Sequence, residues 1–431
     1  MAIRLARLRR RSVFFYTYDI PRPVGNGFRI RNFTNVRVYR DLGFDVEVVV
    51  FLPGSVPDPA NEVVQTLGAR LTIVQSHEST SSVFDRLMYK LGNPNSSILN
   101  VLYPGHWQVQ REVLQREITS PGAIHHFESI GIASAAYGFR KLNAVYSSHD
   151  IAADRYLKVV EMRRVIGRRL DERTKALKAK RLWQAERAVA QSCKLVLAIA
   201  QHELEVYRTR WGFPHLHLLP MSWPDEEQLP RKRGWGEGGK LRLLHIGSTD
   251  AFIGFYSLKF ILGDVFPLLP PAVIERIELL VVGKNQDTPY SKSIQSLAAP
   301  YPQVRFLGFV DDIRSLYSMV DLQVVGAQLA TGLRTRILES FVFGVPVLST
   351  DIAALGLVGL AEGKNILMAK DAAGFAAHIQ RILESPSILL QLAANARETY
   401  DQYYSRSVQS QTLAVLLDMF LTEEPPHAAR R

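Results

Sequence analysis

The sequence predicts an α/β fold built from two parallel sheets, each covered by helices on both faces. Two observations support this prediction. Short apolar strands alternate with helical stretches along the chain, which is the pattern of parallel strands joined by helical crossovers. The alternation stops at residues 224–240, where Pro, Gly, Glu and Arg crowd together without an apolar period, and then it restarts. The chain is therefore expected to form two α/β domains joined by a linker.

The first domain begins with a strand, a loop, a helix and a second strand. An apolar and aromatic run at residues 12–18 predicts the first strand, and residues 46–52 predict the second. Between them, residues 29–42 have helical spacing and Gly43 stands where it can cap the helix. This order predicts a right-handed βαβ unit. Further strands are predicted at residues 71–75, 123–127, 144–148 and 195–200.

The second domain repeats this alternation. Strands are predicted at residues 241–246, 277–282, 304–307, 322–325 and 346–349, and helices at 257–265, 311–320 and 334–343. The expected boundaries are 1–223 for the first domain, 224–240 for the linker, 241–405 for the second domain and 406–431 for a C-terminal helix and tail. Two such domains facing each other enclose a cleft, and these folds bind ligands at the carboxyl ends of their strands.

Composition excludes several classes of protein. The 431 residues are 47% apolar and 22% charged, which is ordinary for a globular chain and excludes a disordered or fibrous one. No apolar run reaches the ~18–20 residues of a membrane-spanning helix. The single cysteine, Cys193, excludes an intrachain disulfide and a cysteine-cluster metal site. We therefore expect a protein of the reducing cytoplasm.

The positive charge of the chain is clustered. The formal net charge is +11. Three segments hold much of the excess: the arginines at positions 4, 7, 9, 10 and 11, residues 163–187, and residues 231–233. Basic patches attract nucleic acid, anionic membranes or phosphorylated substrates, and charge alone does not choose among them. A solvated helix face explains much of the second segment equally well.

The densest functional signal is GLRTRILESFVFGVPVLST at residues 332–350. Gly332 is expected to open a helix, whose free N–H groups and dipole attract anions. Arg334 and Arg336 stand at the same end, and guanidinium groups pair with phosphate in a bidentate way. Glu339, in the next turn, can accept from two neighbouring hydroxyls such as those of ribose. The string alone also fits a capped amphipathic helix with solvated arginines.

With its flanks, this segment resembles the group 1 glycosyltransferases, family 4, which have the GT-B fold. Supporting matches are LGFVDDIRSLY at residues 307–317, GKNILMAKD at 363–371 and PVGNGFRIR at 23–31. Each piece is weak, but their order and spacing over about residues 12–405 are more specific. The resemblance implies two Rossmann-like domains facing across a cleft, with the C-terminal helix crossing back to the N-terminal domain.

The resemblance also implies that the second domain binds a nucleotide-diphosphate sugar, the expected donor. The implied donor-binding residues are Gly247, Ser248, Phe309, Val310, Gly332, Leu333, Arg334, Arg336 and Glu339. Among them, Glu339 matches the ribose-binding glutamate, and Arg334 and Arg336 would face the pyrophosphate. Phe309 and Val310 match a loop against the base. Neither a metal nor another cofactor is expected, and the sequence has no Asp-x-Asp triplet to hold a metal.

The first domain is expected to bind the acceptor, a glycan or a lipid-pyrophosphate-linked glycan. The implied acceptor-side loop contains Gly25, Asn26, Gly27 and Arg31. Gly25-Asn26-Gly27 is a poor dinucleotide fingerprint, and a plain tight turn explains it better than a nicotinamide site. Two histidines at predicted strand ends, His126 and His149, are candidate catalytic residues, with His126 preferred; a structural role is the alternative for each. The resembled family retains anomeric configuration with the leaving phosphate as proton acceptor.

Three positions depart from the family pattern. Thr331 stands where many relatives have a second glutamate, which leaves a non-catalytic scaffold as an alternative. The loop at residues 247–256 lacks the usual Arg and Lys, and Ala200 replaces a serine cap.

The expected function is transfer of a sugar in surface polysaccharide or glycolipid synthesis, by an enzyme attached peripherally to the cytoplasmic face of the membrane through its basic segments. A sugar-nucleotide epimerase of the same fold is a second alternative. A nucleic-acid-binding protein lacks support, since no RNP-like, zinc or helix-turn-helix signature occurs. The sequence does not decide the base, the sugar, the acceptor, the linkage or the oligomeric state.

Overall fold

A computed structural model describes residues 12–52, 64–75, 112–115, 122–134, 142–165, 171–227, 230, 234–249, 252–328 and 332–421. The chain divides into two compact units. The first comprises Met1–Pro224 with Arg406–Arg431, and the second comprises Asp225–Ser405. Several positions that the sequence singled out lie outside the described residues: the N-terminal arginines, residues 166–170 and 231–233, and Thr331.

The first unit is organised around a parallel sheet. Its strands are β1 (Ser12–Thr17), β2 (Asp45–Leu52), β3 (Arg70–Gln75), β4 (Ile124–Glu128), β5 (Asn143–Ser148), β6 (Leu195–Ala198) and β7 (Leu216–Leu218). Their order is β3-β2-β1-β4-β5-β6-β7, and every pair is parallel. Strands β1 and β4 are buried almost throughout, as expected for central strands with helices on both faces.

The helices of the first unit are α1 (Gly27–Asp41), α2 (Ile130–Ala133), α3 (Ala152–Val165), α4 (Glu172–Ser192) and α5 (Gln201–Trp211). Local sequence accounts for both ends of α1. Asn26 caps it, since its side-chain oxygen accepts from the Arg29 N–H at 3.0 Å. Gly43 follows its C-terminus with φ 85°, the left-handed conformation that a glycine adopts without strain.

The second unit repeats this architecture. Its strands are β8 (Leu241–Ile246), β9 (Ile277–Val282), β10 (Val304–Gly308), β11 (Leu322–Val325), β12 (Val347–Thr350) and β13 (Leu367–Ala369). Their order is β10-β9-β8-β11-β12-β13, again with every pair parallel. The sequence analysis missed β7 and β13, because three residues are too few to show a period.

The helices of the second unit are α6 (Phe252–Lys259), α7 (Pro271–Ile274), α8 (Pro289–Ala298), α9 (Ile313–Tyr317), α10 (Thr335–Val342), α11 (Asp351–Ala354), α12 (Ala372–Glu384) and α13 (Ile388–Tyr403). The helix expected at 257–265 begins earlier, at Phe252, and continues into a π-helical turn at Phe260–Val265. The start of the expected linker packs on this unit: Tyr400 Oη donates to Glu226 Oε1 at 2.8 Å.

The last helix, α14 (Arg406–Leu421), belongs to the first unit. Gln409 Nε2 donates to Asn35 Oδ1 of α1 at 2.8 Å, and Arg406 Nε donates to Asp41 Oδ2 at 2.6 Å. Leu413 and Leu417 are fully buried in the same core as Tyr39. The expected return of the C-terminal helix to the N-terminal unit is confirmed.

Each sheet has its first strand in the centre, with the second strand on one side and the fourth on the other. Connections therefore leave the carboxyl ends of β1 and β4, and of β8 and β11, in opposite directions. The crevice that this creates is where open α/β sheets bind ligands. Among the described residues, no helix is long and apolar enough to cross a membrane.

Candidate functional site

A pocket of about 230 Å³ opens at the crevice of the second sheet. Four segments form its walls: the end of β8 with the turn after it, helix α6, the end of β11 with the residues after it, and the residues just before and inside α10. The predicted residues that line it are Gly247, Ser248, Leu333, Arg334 and Arg336. The structure thus brings together five of the nine expected donor-binding residues.

Glycines allow the backbone of this pocket to close tightly. A Cβ on Gly254 would lie 2.0 Å from the carbonyl oxygen of Ser248, and one on Gly283 would lie 2.3 Å from that of Gly247. Gly283 also has φ 146°, a conformation that disfavours other residues. A side chain at either position would displace the Gly247–Ser248 turn from the pocket.

The beginning of α10 differs from the expectation. Gly332 was expected to open the helix, but α10 begins at Thr335, and Arg334 precedes it with a non-helical backbone (φ −80°, ψ 85°). Gly332 instead has φ 56° in the turn before the helix. The left-handed backbone of Gly332 reorients the chain before helical hydrogen bonding starts. The N–H groups of Gly332 and Leu333 therefore belong to a turn at the pocket rather than to the helix end.

Arg336 and Glu339, which were assigned separate tasks, bind each other. Arg336 Nη1 lies 2.6 Å from Glu339 Oε2, and the Tyr317 hydroxyl lies 3.2 Å from the same oxygen. Burial, the largest single effect, lowers the pKa of Arg336, but the charges of Glu339 and Tyr317 and the hydrogen bond to Glu339 together outweigh it, so the net shift is upward. Burial, followed by the charge of Glu339, raises the pKa of Tyr317 well above its ordinary range. A ribose at Glu339 would share this carboxylate with Arg336.

Four expected donor residues do not line the pocket. Gly332 and Glu339 are buried behind it, at 2% exposure for Glu339. Phe309 and Val310 follow β10, and Phe309 is 63% exposed, so its ring is available to a ligand from solvent. A contact of Phe309 with the base stays a prediction. Conversely, the pocket contains three polar side chains that the sequence analysis missed: His245, Ser257 and Thr335. A histidine within the apolar run LRLLHIG was the available signal.

In the first unit, a buried carboxylate organises the carboxyl ends of β4 and β5. Glu128 is fully buried at the end of β4. Its Oε1 accepts from Asn35 Nδ2 and from His126 Nε2, the latter at 2.9 Å, and its Oε2 accepts from His149 Nε2 at 2.5 Å. Burial alone would raise the pKa of Glu128, but the charge of His149 and the hydrogen bonds from both imidazoles hold it well below its ordinary range.

The structure reverses the preference between the two candidate histidines. His126 is fully buried; its Nδ1 lies 2.9 Å from the Tyr39 hydroxyl, its Nε2 binds Glu128, and its ring stacks on Phe15. Both nitrogens are occupied, so His126 positions Glu128 and does not face a ligand. The physical reason is its place in a central strand, where helices cover both faces. His149 lies one residue beyond β5, and its side chain is 18% exposed.

His149 stands at a second pocket, of about 380 Å³, which lies wholly within the first unit. Its ring centroid is 4.6 Å from that of Phe28 on α1. The other walls come from β5, α2, α3 and α4 and are mostly apolar or aromatic. They also hold two cations, Arg155 and Lys178, and one carboxylate, Asp150, whose Oδ2 lies 3.5 Å from Arg155 Nη1. The cavity can hold a ligand that is partly apolar and partly anionic, next to an imidazole oriented by Glu128.

The four residues of the expected acceptor-side loop lie in different surroundings. Gly25, with φ 112°, and Asn26 form an exposed turn, and Gly27 is the first residue of α1. Arg31 differs from the expectation, because it lies in the interior. Its Nη2 donates to Ser147 Oγ at 2.8 Å, and its Nε lies 3.7 Å from Glu128 Oε2. One turn along α1 from the loop, Arg31 faces the sheet, and burial lowers its pKa.

A second buried carboxylate, Glu186, lies beneath this pocket. Its Oε1 accepts from the hydroxyls of Tyr146 and Tyr207 at 2.9 and 2.5 Å, and its Oε2 accepts from the Ala152 N–H at the start of α3. Burial raises its pKa to about 7, against the opposing hydrogen bonds. No local pattern indicated its role, since a glutamate in the basic helix α4 looks like a solvated residue.

Comparison with known sequences gives two findings. Residues 242–385 match the family model described as Glycosyl transferases group 1. A segment of 117 residues is 34% identical to the lipopolysaccharide core biosynthesis glycosyltransferase LpsE of Rhizobium meliloti (strain 1021); it makes up 27% of this chain and spans only 34% of that relative. The matched family segment contains the whole pocket of the second unit.

Two solved structures cover nearly the full length. HepE of Anabaena, in complex with UDP and glucose, has a TM-score of 0.64 at 16% identity over 94% of this chain and 98% of that one. Sucrose-phosphate synthase of Thermosynechococcus elongatus has a TM-score of 0.68 at 16% identity over 95% and 99%. Identities this low show the fold alone. The chain therefore has the GT-B fold of two Rossmann-like α/β units, and its second unit matches the group 1 glycosyltransferase model.

Proposed function

We propose that the protein is a glycosyltransferase that moves a sugar from a nucleotide-diphosphate sugar to a glycan or lipid-linked glycan, in lipopolysaccharide or other surface polysaccharide synthesis. The observation that carries the proposal is the pocket of the second unit. It lies at the crevice of a parallel sheet, has two arginines in its walls, and falls inside the matched family segment. Similarity to LpsE, a lipopolysaccharide core biosynthesis glycosyltransferase, supports the reaction class, and the UDP and glucose bound to HepE support the donor class.

The proposed role of this pocket is to stabilise the leaving diphosphate. Arg334 and Arg336, which line the pocket, offer fixed positive charge to the charge that develops on the diphosphate. In the proposed step, the acceptor oxygen forms a bond to the anomeric carbon, the bond to the phosphate oxygen breaks, and that phosphate oxygen takes the acceptor proton. The step retains anomeric configuration and calls on neither a metal nor a side-chain base.

The proposed acceptor site is the pocket of the first unit. Its apolar and aromatic walls suit the sugar faces or lipid-proximal part of an acceptor, and Lys178 suits a phosphate carried by it, while Arg155 pairs with Asp150. His149 contacts the reacting sugar or acceptor in this proposal. Its Nε2 donates to Glu128, so the ring orientation is held without the acceptor.

The direct test combines turnover with donor binding. The full-length protein is incubated with UDP-, ADP-, GDP- and TDP-sugars and a lipid-linked glycan extract, and release of nucleoside diphosphate and glycan extension are measured. One donor is expected to be consumed. If no donor is consumed and no nucleoside diphosphate raises the unfolding temperature, the non-catalytic alternative holds.

The ribose assignment is tested at Glu339. Loss of hydrogen bonds to a charged acceptor is expected to weaken nucleoside diphosphate binding by about 2–4 kcal/mol in Glu339→Ala, roughly 30- to 1000-fold. Calorimetry should show that wild type prefers the ribonucleotide to its 2′-deoxy form and that the alanine variant does not. Glu278→Ala, remote in the sheet, is the control. Equal binding of both nucleotides by wild type would remove Glu339 from the ribose site.

We also propose peripheral attachment to an anionic membrane. On the described part of the basic α4, Lys180, Trp183 and Arg187 form a shallow recess with Arg210 and Trp211 of α5, and the Arg210 guanidinium lies 4.3 Å from the Trp183 ring centre. Tryptophan combined with Lys and Arg is typical of surfaces at the lipid–water interface.

Vesicle sedimentation tests this attachment. Wild type is expected to bind vesicles with anionic lipid at low salt and to release at high salt, since each basic residue contributes ~1 kcal/mol and salt screens it. Arg187→Glu with Arg210→Glu should abolish binding. Lys292→Glu with Lys364→Glu changes the net charge equally at exposed sites of the second unit and should have a smaller effect. Equal loss in both pairs would contradict a defined attachment surface.

A further inference from the structure

Two buried polar side chains of the second unit's pocket have hydrogen-bonding capacity that the described part of the chain does not fully use. His245 is 3% exposed and Ser257 is 4% exposed. The Ser257 hydroxyl makes no hydrogen bond to a described residue, and the imidazole of His245 interacts with the backbone of Val324 without reaching ordinary hydrogen-bond geometry at either nitrogen. More than nine in ten buried polar groups in proteins are paired, because an unpaired one costs free energy. Both side chains line the same pocket, so a ligand entering it can pair them.

The position of His245 directs it to the turn that follows β8. It is the penultimate residue of that strand, and its Nε2 lies 3.2 Å from the point where a Cβ on Gly247 would stand. The ring is therefore adjacent to the Gly247–Ser248 backbone. Ser257 reaches the pocket from α6 on another wall. The imidazole of His245 and the hydroxyl of Ser257 can therefore contact the same group of a ligand from different sides.

The charges around these groups restrict what the ligand can be. Arg334 and Arg336 line the pocket, and no carboxylate is among the described lining residues. Burial lowers the pKa of His245 to about 4, the charge of Arg336 acts in the same direction, and the Val324 backbone opposes both. The pocket therefore presents two guanidinium groups, a neutral imidazole and the hydroxyls of Ser248, Ser257 and Thr335. A phosphoryl oxygen, which only accepts hydrogen bonds and is negatively charged, matches this set.

We propose that His245 and Ser257 bind a phosphoryl oxygen of the donor's diphosphate, and that His245 is a specificity-determining residue for that group. The inference rests on the proposed function, since it takes the ligand to be a nucleotide-diphosphate sugar. In this arrangement, His245 and Ser257 hold the diphosphate together with Arg334 and Arg336, which line the same pocket.

Contact between His245 and a phosphate makes the affinity for the nucleotide depend on pH. A bound phosphate favours the protonated imidazole, so the pKa of His245 rises when the ligand binds. A group with a higher pKa in the complex takes up a proton on binding, and the affinity contributed by His245 increases as the pH falls. The facing groups, Arg334 and Arg336, stay charged throughout this range and contribute no slope of their own.

The test is calorimetry of nucleoside diphosphates (UDP, ADP, GDP and TDP) with the full chain from pH 7.5 to pH 5.5. His245→Phe fills the ring volume without nitrogens, His245→Gln returns an N–H donor, and Ser257→Ala removes the hydroxyl. His378→Phe, in the same unit but outside the pocket, is the control. We expect His245→Phe to bind the preferred nucleotide about 10-fold or more weakly at pH 7. Glutamine should recover part of this loss, and Ser257→Ala should show a smaller one.

The pH series separates binding from packing. The ratio of the phenylalanine variant's dissociation constant to that of wild type should grow as the pH falls, and titration of the nucleotide itself cancels in this ratio. A ratio that is independent of pH, with no recovery by glutamine, would mean that His245 only packs and would overturn the inference while leaving the proposed function intact. Wild type that binds none of the four nucleotides would overturn the proposed function, and the inference with it.

Discussion

Glutamine at position 128 should destabilise the first unit far more than a single lost hydrogen bond would. Glu128 and Arg31 are both fully buried, and Glu128 also accepts from Asn35, His126 and His149. Removing the negative charge takes away the larger of the two carboxylate interactions of the buried Arg31 guanidinium and leaves that of Glu203, for which the expected cost is ~3–5 kcal/mol. For a unit of this size, that lowers the unfolding temperature by roughly 6–20 °C.

Urea denaturation followed by tryptophan fluorescence measures this cost, because four of the five tryptophans belong to the first unit. Removing the arginine as well, in Arg31→Met with Glu128→Gln, should restore part of the stability, with a coupling of about 1–3 kcal/mol. Glu278→Gln is the matched control. Glu278 also binds two arginines, Arg242 and Arg305, but in a partly exposed setting, so about 1 kcal/mol or less is expected.

The pH dependence of this effect has a defined sign. The pKa of Glu128 is depressed in the folded protein, so its contribution to stability is complete above the unfolded pKa of about 4.3 and is lost as the pH falls through the folded value. The gap between wild type and Glu128→Gln should therefore be full at pH 7 and shrink in acid. A variant within 1 kcal/mol of wild type at pH 7, or a double variant whose costs simply add, would refute the reasoning.

Two further variants test other local assignments. As the pH rises from about 4.5 to 7, wild type should lose stability relative to Glu186→Gln. Burial raises the pKa of Glu186 to about 7 in the folded protein, so in this range the folded chain keeps a proton that the unfolded chain has released. Parallel pH profiles of the two proteins in urea denaturation would contradict this. Ala200→Ser should stabilise the first unit by ~1 kcal/mol, because Ala200 is the N-cap residue of α5 (φ −120°, ψ 134°) and its side chain cannot accept a hydrogen bond from the helix. An unchanged or lower unfolding temperature would show that the buried hydroxyl finds no N–H partner.

The sequence by itself determined the succession of elements. Alternation of short apolar runs with helical stretches depends on neighbours only a few residues apart, and so do the cap at Asn26 and the glycine after α1. The restart of the pattern at β8 likewise indicated a second α/β unit without any long-range information. The same is true of the α10 motif, whose glycine, arginines and glutamate lie within eight residues of one another.

Only the tertiary structure decided which polar side chains face a ligand. His126 and His149 both stand near strand ends, but His126 is covered by Tyr39 of α1 and His149 is not. Arg31 and Glu128, 97 positions apart, become partners only when α1 packs on the sheet. His245 looks like a core residue in its strand until α6 and the turn before α10 surround it with a pocket. Segments distant in sequence determine whether a polar side chain is buried and which group it pairs with, and local sequence patterns do not identify those segments.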